Sequence, residues 1–228
     1  MEPDGFGAAM ARHRFGPVSA DVPVIGQGTW YMDEAHRPAA VATLRRGLDL
    51  GMTHIDTAEM YGNEDAVGEA LANAGVPRGD VHVTTKVWFD HLDADAMQRA
   101  IEGSLRKLRT DYVDLYLIHW PAPDMDLPGA LHNLMRVQEQ GKARAIGVSN
   151  FPVALLRRAV EEVRAPIACN QIEYHVLLDQ DRVAATVLAR VPEGWVEAGL
   201  TQGCLDLPEL GVSLPLASIC RGLGFDPA

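Results

Sequence analysis

Between residues 24 and 190 the chain alternates short apolar runs with stretches whose apolar positions recur at helical spacing. Runs at 24–29, 52–58, 81–88, 112–120, 144–149 and 167–174 have the length and composition of strands. Residues 38–50 carry Val41, Leu44 and Leu48 three to four apart and stop at Gly51, which predicts a helix. Met97, Ile101, Leu105 and Leu108 form one apolar stripe on a helix that Asp93 is placed to cap. Further helices are expected at 64–74, at 127–140 before Gly141, at 152–163 with Ser149 or Asn150 as cap, and at 180–190. Six strand–helix units with short connections imply parallel strands joined by right-handed crossovers.

An α/β fold follows, either a barrel or a doubly wound sheet. The first strand lacks the G-x-G-x-x-G turn of a dinucleotide-binding open sheet, and Gly26-Gln-Gly28 alone is weak. The expected fold is therefore a (β/α)8 TIM barrel, incomplete, with about six β/α units followed by a divergent tail. Two segments are expected, 1–190 for the partial barrel and 191–228 for the tail. In the tail Pro192, Pro208, Pro215 and Pro227 interrupt any long element. Residues 199–207 and 212–219 each leave room for one short strand or helix.

Charge and cysteine content narrow the class of partner. A formal net charge of −11 argues against a nucleic-acid or anionic-membrane surface. No run approaches the roughly 20 apolar residues of a membrane span, and residues 1–21 show no leader-like apolar stretch. Cys169, Cys204 and Cys220 have no metal-ligand spacing, so reduced thiols in a cytoplasm and no metal site are expected. Oligomeric state is not legible.

The chemistry concentrates at strand ends. Asp56 and Tyr61 lie in the run Asp56-Thr-Ala-Glu-Met-Tyr61-Gly-Asn-Glu64, Lys86 closes Val81-His-Val-Thr-Thr-Lys86, and His119 closes Tyr112-Val-Asp-Leu-Tyr-Leu-Ile-His119. In a β/α barrel such ends meet on one face. Reduction of a carbonyl needs a proton donor beside the developing alkoxide. A free phenol has a pKa of about 10, which a neighbouring ammonium is expected to lower, while a carboxylate holds that ammonium in place. A histidine can hydrogen-bond the carbonyl. Each residue also has an ordinary reading: Tyr61 as a packed loop aromatic, Lys86 as a surface charge, Asp56 as a turn cap, His119 as a core histidine. Their arrival at three consecutive strand ends favours the joint catalytic reading.

Further motifs carry a family resemblance: Gly26-Gln-Gly-Thr-Trp30, Leu115-Tyr-Leu-Ile-His-Trp120, Gly147-Val-Ser-Asn-Phe151 and Asn170-Gln-Ile-Glu-Tyr-His175, in that order. With the Asp56–Glu64 run they resemble the aldo-keto reductases over about residues 20–185, most nearly the bacterial methylglyoxal and diketogluconate reductases. The resemblance implies NADPH-dependent reduction of a small aldehyde or ketone, with Tyr61 as proton donor, Lys86 and Asp56 tuning it, and His119 orienting the carbonyl. It also implies Gly28, Thr29, Trp30, Asp56, Ser149, Asn150 and Gln171 around the cofactor, and Trp30, Trp88, His119 and Trp120 around the substrate. Beyond about residue 190 the resemblance stops. The family's stacking tyrosine before Ser-Pro-Leu and its basic phosphate-gripping segment have no counterpart. Residues 191–228 hold one basic residue, Arg221, among five acids. A frame shift or an early divergence would each give this pattern. The alternative expectation is a non-catalytic remnant or interaction module.

Overall fold

The computed structural model describes residues 11–15, 20–32, 34–173, 186–191, 194–199, 204–207 and 212–215. It divides into two units, Met1–Gln171 and Ile172–Ala228, and the candidate site residues all belong to the first.

In the first unit a hairpin of β1 (Arg12–Phe15) and β2 (Ala20–Pro23) precedes β3 (Gln27–Gly28) and α1 (Arg37–Asp49). Then come β4 (His54–Asp56), α2 (Glu64–Ala72), β5 (His82–Val87) and α3 (Ala94–Leu108). They are followed by β6 (Val113–Ile118), α4 (Leu127–Glu139), β7 (Ala143–Ser149), α5 (Val153–Arg157) and β8 (Ile167–Gln171). A π-helical turn at Arg158–Glu162 extends α5. Strands β3 to β8 form one sheet in chain order, with every neighbouring pair parallel. Parallel neighbours require crossovers, and the helices supply them.

The sheet is curled. Strands β4 and β8 stand four places apart in its order, which in a flat sheet would separate them by roughly 19 Å. Yet Gln171 Nε2 donates to Asp56 Oδ2 at 2.7 Å. Two short side chains close such a gap only if the strand ends bend round to face each other. This is barrel curvature, not an open doubly wound sheet. Strands β5 and β6 are buried at every position, so both faces of the sheet are covered there.

Most of the expected boundaries hold to within a few residues. Val41, Leu44 and Leu48 of α1 are buried, as are Met97, Ile101 and Leu108 of α3. Asp93 caps α3, its Oδ1 accepting from the amides of Asp95 at 3.1 Å and Ala96 at 2.9 Å. Gly51 and Gly141 take the positive φ that ends α1 and α4. One expected cap is corrected: neither Ser149 nor Asn150 caps α5, whose N-cap is Pro152 with no side-chain bond. Asn150 sits at φ 61°, turning the chain too early to reach the helix amides.

The second unit holds two antiparallel hairpins, β9 (Thr186–Val191) with β10 (Gly194–Gly199) and β11 (Cys204–Leu207) with β12 (Val212–Pro215). The helix expected at 180–190 is therefore a strand from Thr186 onward, and residues 180–185 lie outside the described residues. Thr186, Val187 and Val191 are β-branched, and Val191 pairs with Gly194 across Pro192-Glu193, a sequence that favours a turn over a continuing helix. Among the described residues no helix is long and apolar enough to cross a membrane.

Candidate active site

Asp56 ends β4, Lys86 lies next to the end of β5, and His119 follows β6 directly. Tyr61 closes a 3-10 turn, Glu59–Tyr61, which Gly62 terminates at φ 70°, a conformation suited to glycine. The three strand ends and the turn bring the four side chains together.

Lys86 is fully buried, and its ammonium donates three bonds. They run to Asp56 Oδ1 at 2.5 Å, the Thr57 carbonyl at 2.9 Å and the Tyr61 hydroxyl at 3.3 Å. Burial pulls the Lys86 pKa down, and Asp56 pushes back against it. Tyr61 is pushed up to about 12, by burial first and then by the negative charge of Asp56. The expected lowering of the phenol pKa is thus reversed. Asp56 matches the Lys86 charge at close range, so desolvation dominates and the phenol keeps its proton.

His119 is buried and held down to about 4, by burial and then by Lys86, so its ring is neutral near pH 7. Its Nδ1 has no hydrogen-bond partner among the described residues. The ring meets Tyr61 edge-on at 5.4 Å and Trp88 edge-on at 5.3 Å. Trp30 stacks on Tyr61 at 6.2 Å and on Tyr31 at 5.0 Å, and is 58% exposed. Trp120 is exposed and makes no ring contact among the described residues.

The residues expected around a nicotinamide lie at the ends of β7 and β8. Ser149 Oγ donates to the Gln171 carbonyl at 2.9 Å. Asn150 Nδ2 donates to the His119 carbonyl and to Ser149 Oγ, both at 3.0 Å. Gln171 reaches Asp56, as above. At the first strand, a Cβ on Gly28 would meet nothing within 4 Å, leaving open space beside it. Thr29 is buried and bonds Asn63 Oδ1 at 3.2 Å.

Three neighbours in the same run were not singled out from sequence. Asn63 is buried and ties two loops together, its Nδ2 donating to the Thr29 carbonyl at 2.7 Å and its Oδ1 accepting from Thr57 Oγ1 at 3.3 Å. Glu64 is fully buried, accepts from Thr85 Oγ1 at 2.7 Å, lies 3.6 Å from Lys107 Nζ, and has its pKa raised chiefly by burial. Glu59 accepts the Trp88 amide at 2.6 Å. A polar residue beside a catalytic candidate, inside a motif, was the available signal.

A model of the Aldo/keto reductase family matches residues 24–192. The chain belongs to this family. The methylglyoxal reductase DkgB of Salmonella typhi is 41% identical over 165 residues, which are 71% of this chain and 61% of that protein. The methylglyoxal reductase DkgA of Yersinia pestis is 43% identical over 165 residues, 72% of this chain and 58% of that protein. This aldo/keto reductase chain thus spans about three fifths of the length of the curated relatives it matches. Among solved structures, the thermostable aldo-keto reductase Tm1743 in complex with the inhibitor epalrestat has a TM-score of 0.72 at 37% identity, covering 78% of this chain and 68% of that one. An aldo-keto reductase from Klebsiella pneumoniae in complex with NADPH has a TM-score of 0.66 at 41% identity, covering 74% and 60%.

Proposed function

We propose that this aldo/keto reductase chain reduces a small aldehyde or ketone to an alcohol, with Tyr61 as proton donor and NADPH as cofactor. The observation that carries the reading is the single buried ammonium of Lys86 bonded to both Asp56 and the Tyr61 hydroxyl. A phenol held near 12 stays protonated at neutral pH, yet is still more acidic than a simple alcohol, so it can give up its proton to the alkoxide as that alkoxide forms. Lys86 then lies in place to stabilise the phenolate. Neutral His119 offers one ring N–H to the carbonyl oxygen, fixing the carbonyl between itself and Tyr61. The rings of Trp30 and Trp88 flank Tyr61 and His119 and limit the site to small substrates.

The strand-end residues fit the nicotinamide end of the cofactor. The amide donors of Asn150 and Gln171 are engaged within the protein, which leaves their carbonyl oxygens to accept from a carboxamide. The bound cofactor supplies a hydride. Ser149, Asn150 and Gln171 fix which ring face is presented, and Asp56 joins that group to the proton donor through Gln171. Since relatives are named methylglyoxal reductases, methylglyoxal is the first substrate to try. The test is oxidation of NADPH by the purified chain with methylglyoxal, alongside Tyr61→Phe. Turnover in the parent and none in the variant supports the reading; equal turnover in both refutes it.

One observation favours a second reading, a non-catalytic remnant comprising a family segment at 1–190 and an independent tail at 191–228. That tail carries a single basic residue, Arg221, where a phosphate-bearing cofactor calls for several. Quenching of tryptophan fluorescence by NADPH separates the two: no binding by a soluble chain favours the remnant.

A further inference from the structure

One carboxylate joins the two loops that flank the Tyr61–His119 site. Glu59 opens the 3-10 turn that Tyr61 closes. Its Oε1 accepts the Trp88 backbone N–H at 2.6 Å and lies 2.9 Å from His91 Nδ1. Trp88 is the first residue beyond β5, and its carbonyl accepts from the His91 amide at 3.1 Å, closing a tight turn. The Trp88 ring packs between His119 at 5.3 Å and Phe89 at 4.7 Å. The backbone of this tryptophan is therefore held from both sides, by the Glu59 carboxylate and by the His91 turn, while its ring rests on the histidine of the site.

We propose that Glu59 and His91 are positioning residues, their ion pair fixing the Trp88 turn against the Tyr61 turn so that protonation of His91 sets how firmly Trp88 walls the site. Among the described residues His91 is the one basic side chain within ion-pair reach of Glu59. The charges facing His91 are all acidic: Glu59, then Asp90, with Oδ1 3.8 Å from Nε2, then Asp93. Glu59 also faces the buried Glu64 carboxyl and the buried Tyr116 phenol, neither of which offsets its charge. The Glu59 bond raises the His91 pKa from its ordinary 6.5, so the charged clamp is complete below that raised value and is lost as pH rises through it.

The effect on substrate rests on the proposed carbonyl reduction; the effect on Trp88 does not. Fluorine NMR of the full chain labelled with fluorotryptophan reads the latter, with Trp88→Phe identifying the resonance, while proton NMR follows the His91 ring. In the parent the Trp88 signal should titrate together with His91, at a midpoint above 6.5. Glu59→Gln keeps an acceptor for the Trp88 amide but drops the His91 midpoint toward 6.5, and the Trp88 midpoint should follow it. Glu59→Ala or His91→Gln should abolish the Trp88 titration. Where Glu59→Ala does not fold, Glu59→Gln and His91→Gln decide. A flat Trp88 signal in the parent, or a midpoint that Glu59→Gln leaves in place, overturns the clamp. In an active chain, His91→Gln should raise KM for methylglyoxal several-fold while kcat is retained, and an unchanged KM overturns the positioning role. If the parent turns over no carbonyl, the functional reading fails, while the Trp88 titration still decides the clamp.

Discussion

Lys86 and Asp56 form an unequal pair. The lysine side chain is fully buried, whereas 20% of the Asp56 side chain is exposed. Removing one member of a buried ion pair leaves the other uncompensated, at a cost of about 3–5 kcal/mol. The cost should be smaller where the stranded charge still meets water. Lys86→Met strands Asp56, which keeps its bond from Gln171 and some solvent. Asp56→Asn strands an ammonium with no access to solvent. Urea denaturation should therefore find Asp56→Asn less stable than Lys86→Met, and the reverse order would contradict this account of the site. Both variants should lose carbonyl turnover, because each disturbs the ammonium that supports the Tyr61 phenolate. Tyr61→Phe keeps the pair intact and should lose turnover while binding NADPH with parental affinity. Equal loss of binding and turnover would remove Tyr61 from the proton-donor role.

Packing between elements sets a different kind of limit. Helices α2 and α3 approach so closely at Gly68 that a Cβ there would lie 2.0 Å from the Lys107 carbonyl oxygen and 2.9 Å from Leu108 Cα. Backbone cannot yield as a side-chain tip does. Gly68→Ala should therefore cost about 1–3 kcal/mol despite the better helix propensity of alanine. A variant as stable as the parent by chemical denaturation would mean that α3 shifts freely. Such close approaches are invisible in sequence, where Gly68 reads only as an interruption in a helix. Asp93 was legible as a cap because a cap is a local device, settled within three residues. Ser149 and Asn150 had the right chemistry for a cap, but the left-handed turn at Asn150 moves the helix start to Pro152, a tertiary feature that local composition does not show. The strand at Thr186–Val191 follows its β-branched residues and the Pro192 beyond them rather than the alternation of strand and helix before it. The tetrad was legible because strand ends in a barrel converge; the burial of Asn63 and Glu64 was not, because only the packed fold reveals it.

Acid sensitivity is expected of the first unit at both ends of its sheet. At the strand starts, His54 and His82 face each other across β4 and β5, their rings edge-to-face at 5.0 Å. Burial lowers the His54 pKa and takes His82 down to about 4. At the strand ends, burial and Lys86 hold His119 at about 4 as well. Between pH 6.5 and 4 the unfolded chain takes up the His82 and His119 protons and the folded chain does not, so stability falls as pH drops through that window, and the lowered His54 acts in the same direction. Each group contributes at most about 1.4 kcal/mol per pH unit. Two groups work in the opposite direction. Buried Glu64, with a raised pKa, favours folding on acidification, and so does His91 through its bond to Glu59. His91 is half exposed and solvent screens it, so two buried histidines and the half-buried His54 stand chiefly against one buried carboxyl. The urea midpoint should therefore fall between pH 7 and pH 5, and His82→Gln should flatten that slope. A midpoint that rises on acidification, or a slope that His82→Gln leaves intact, would place the acid sensitivity elsewhere.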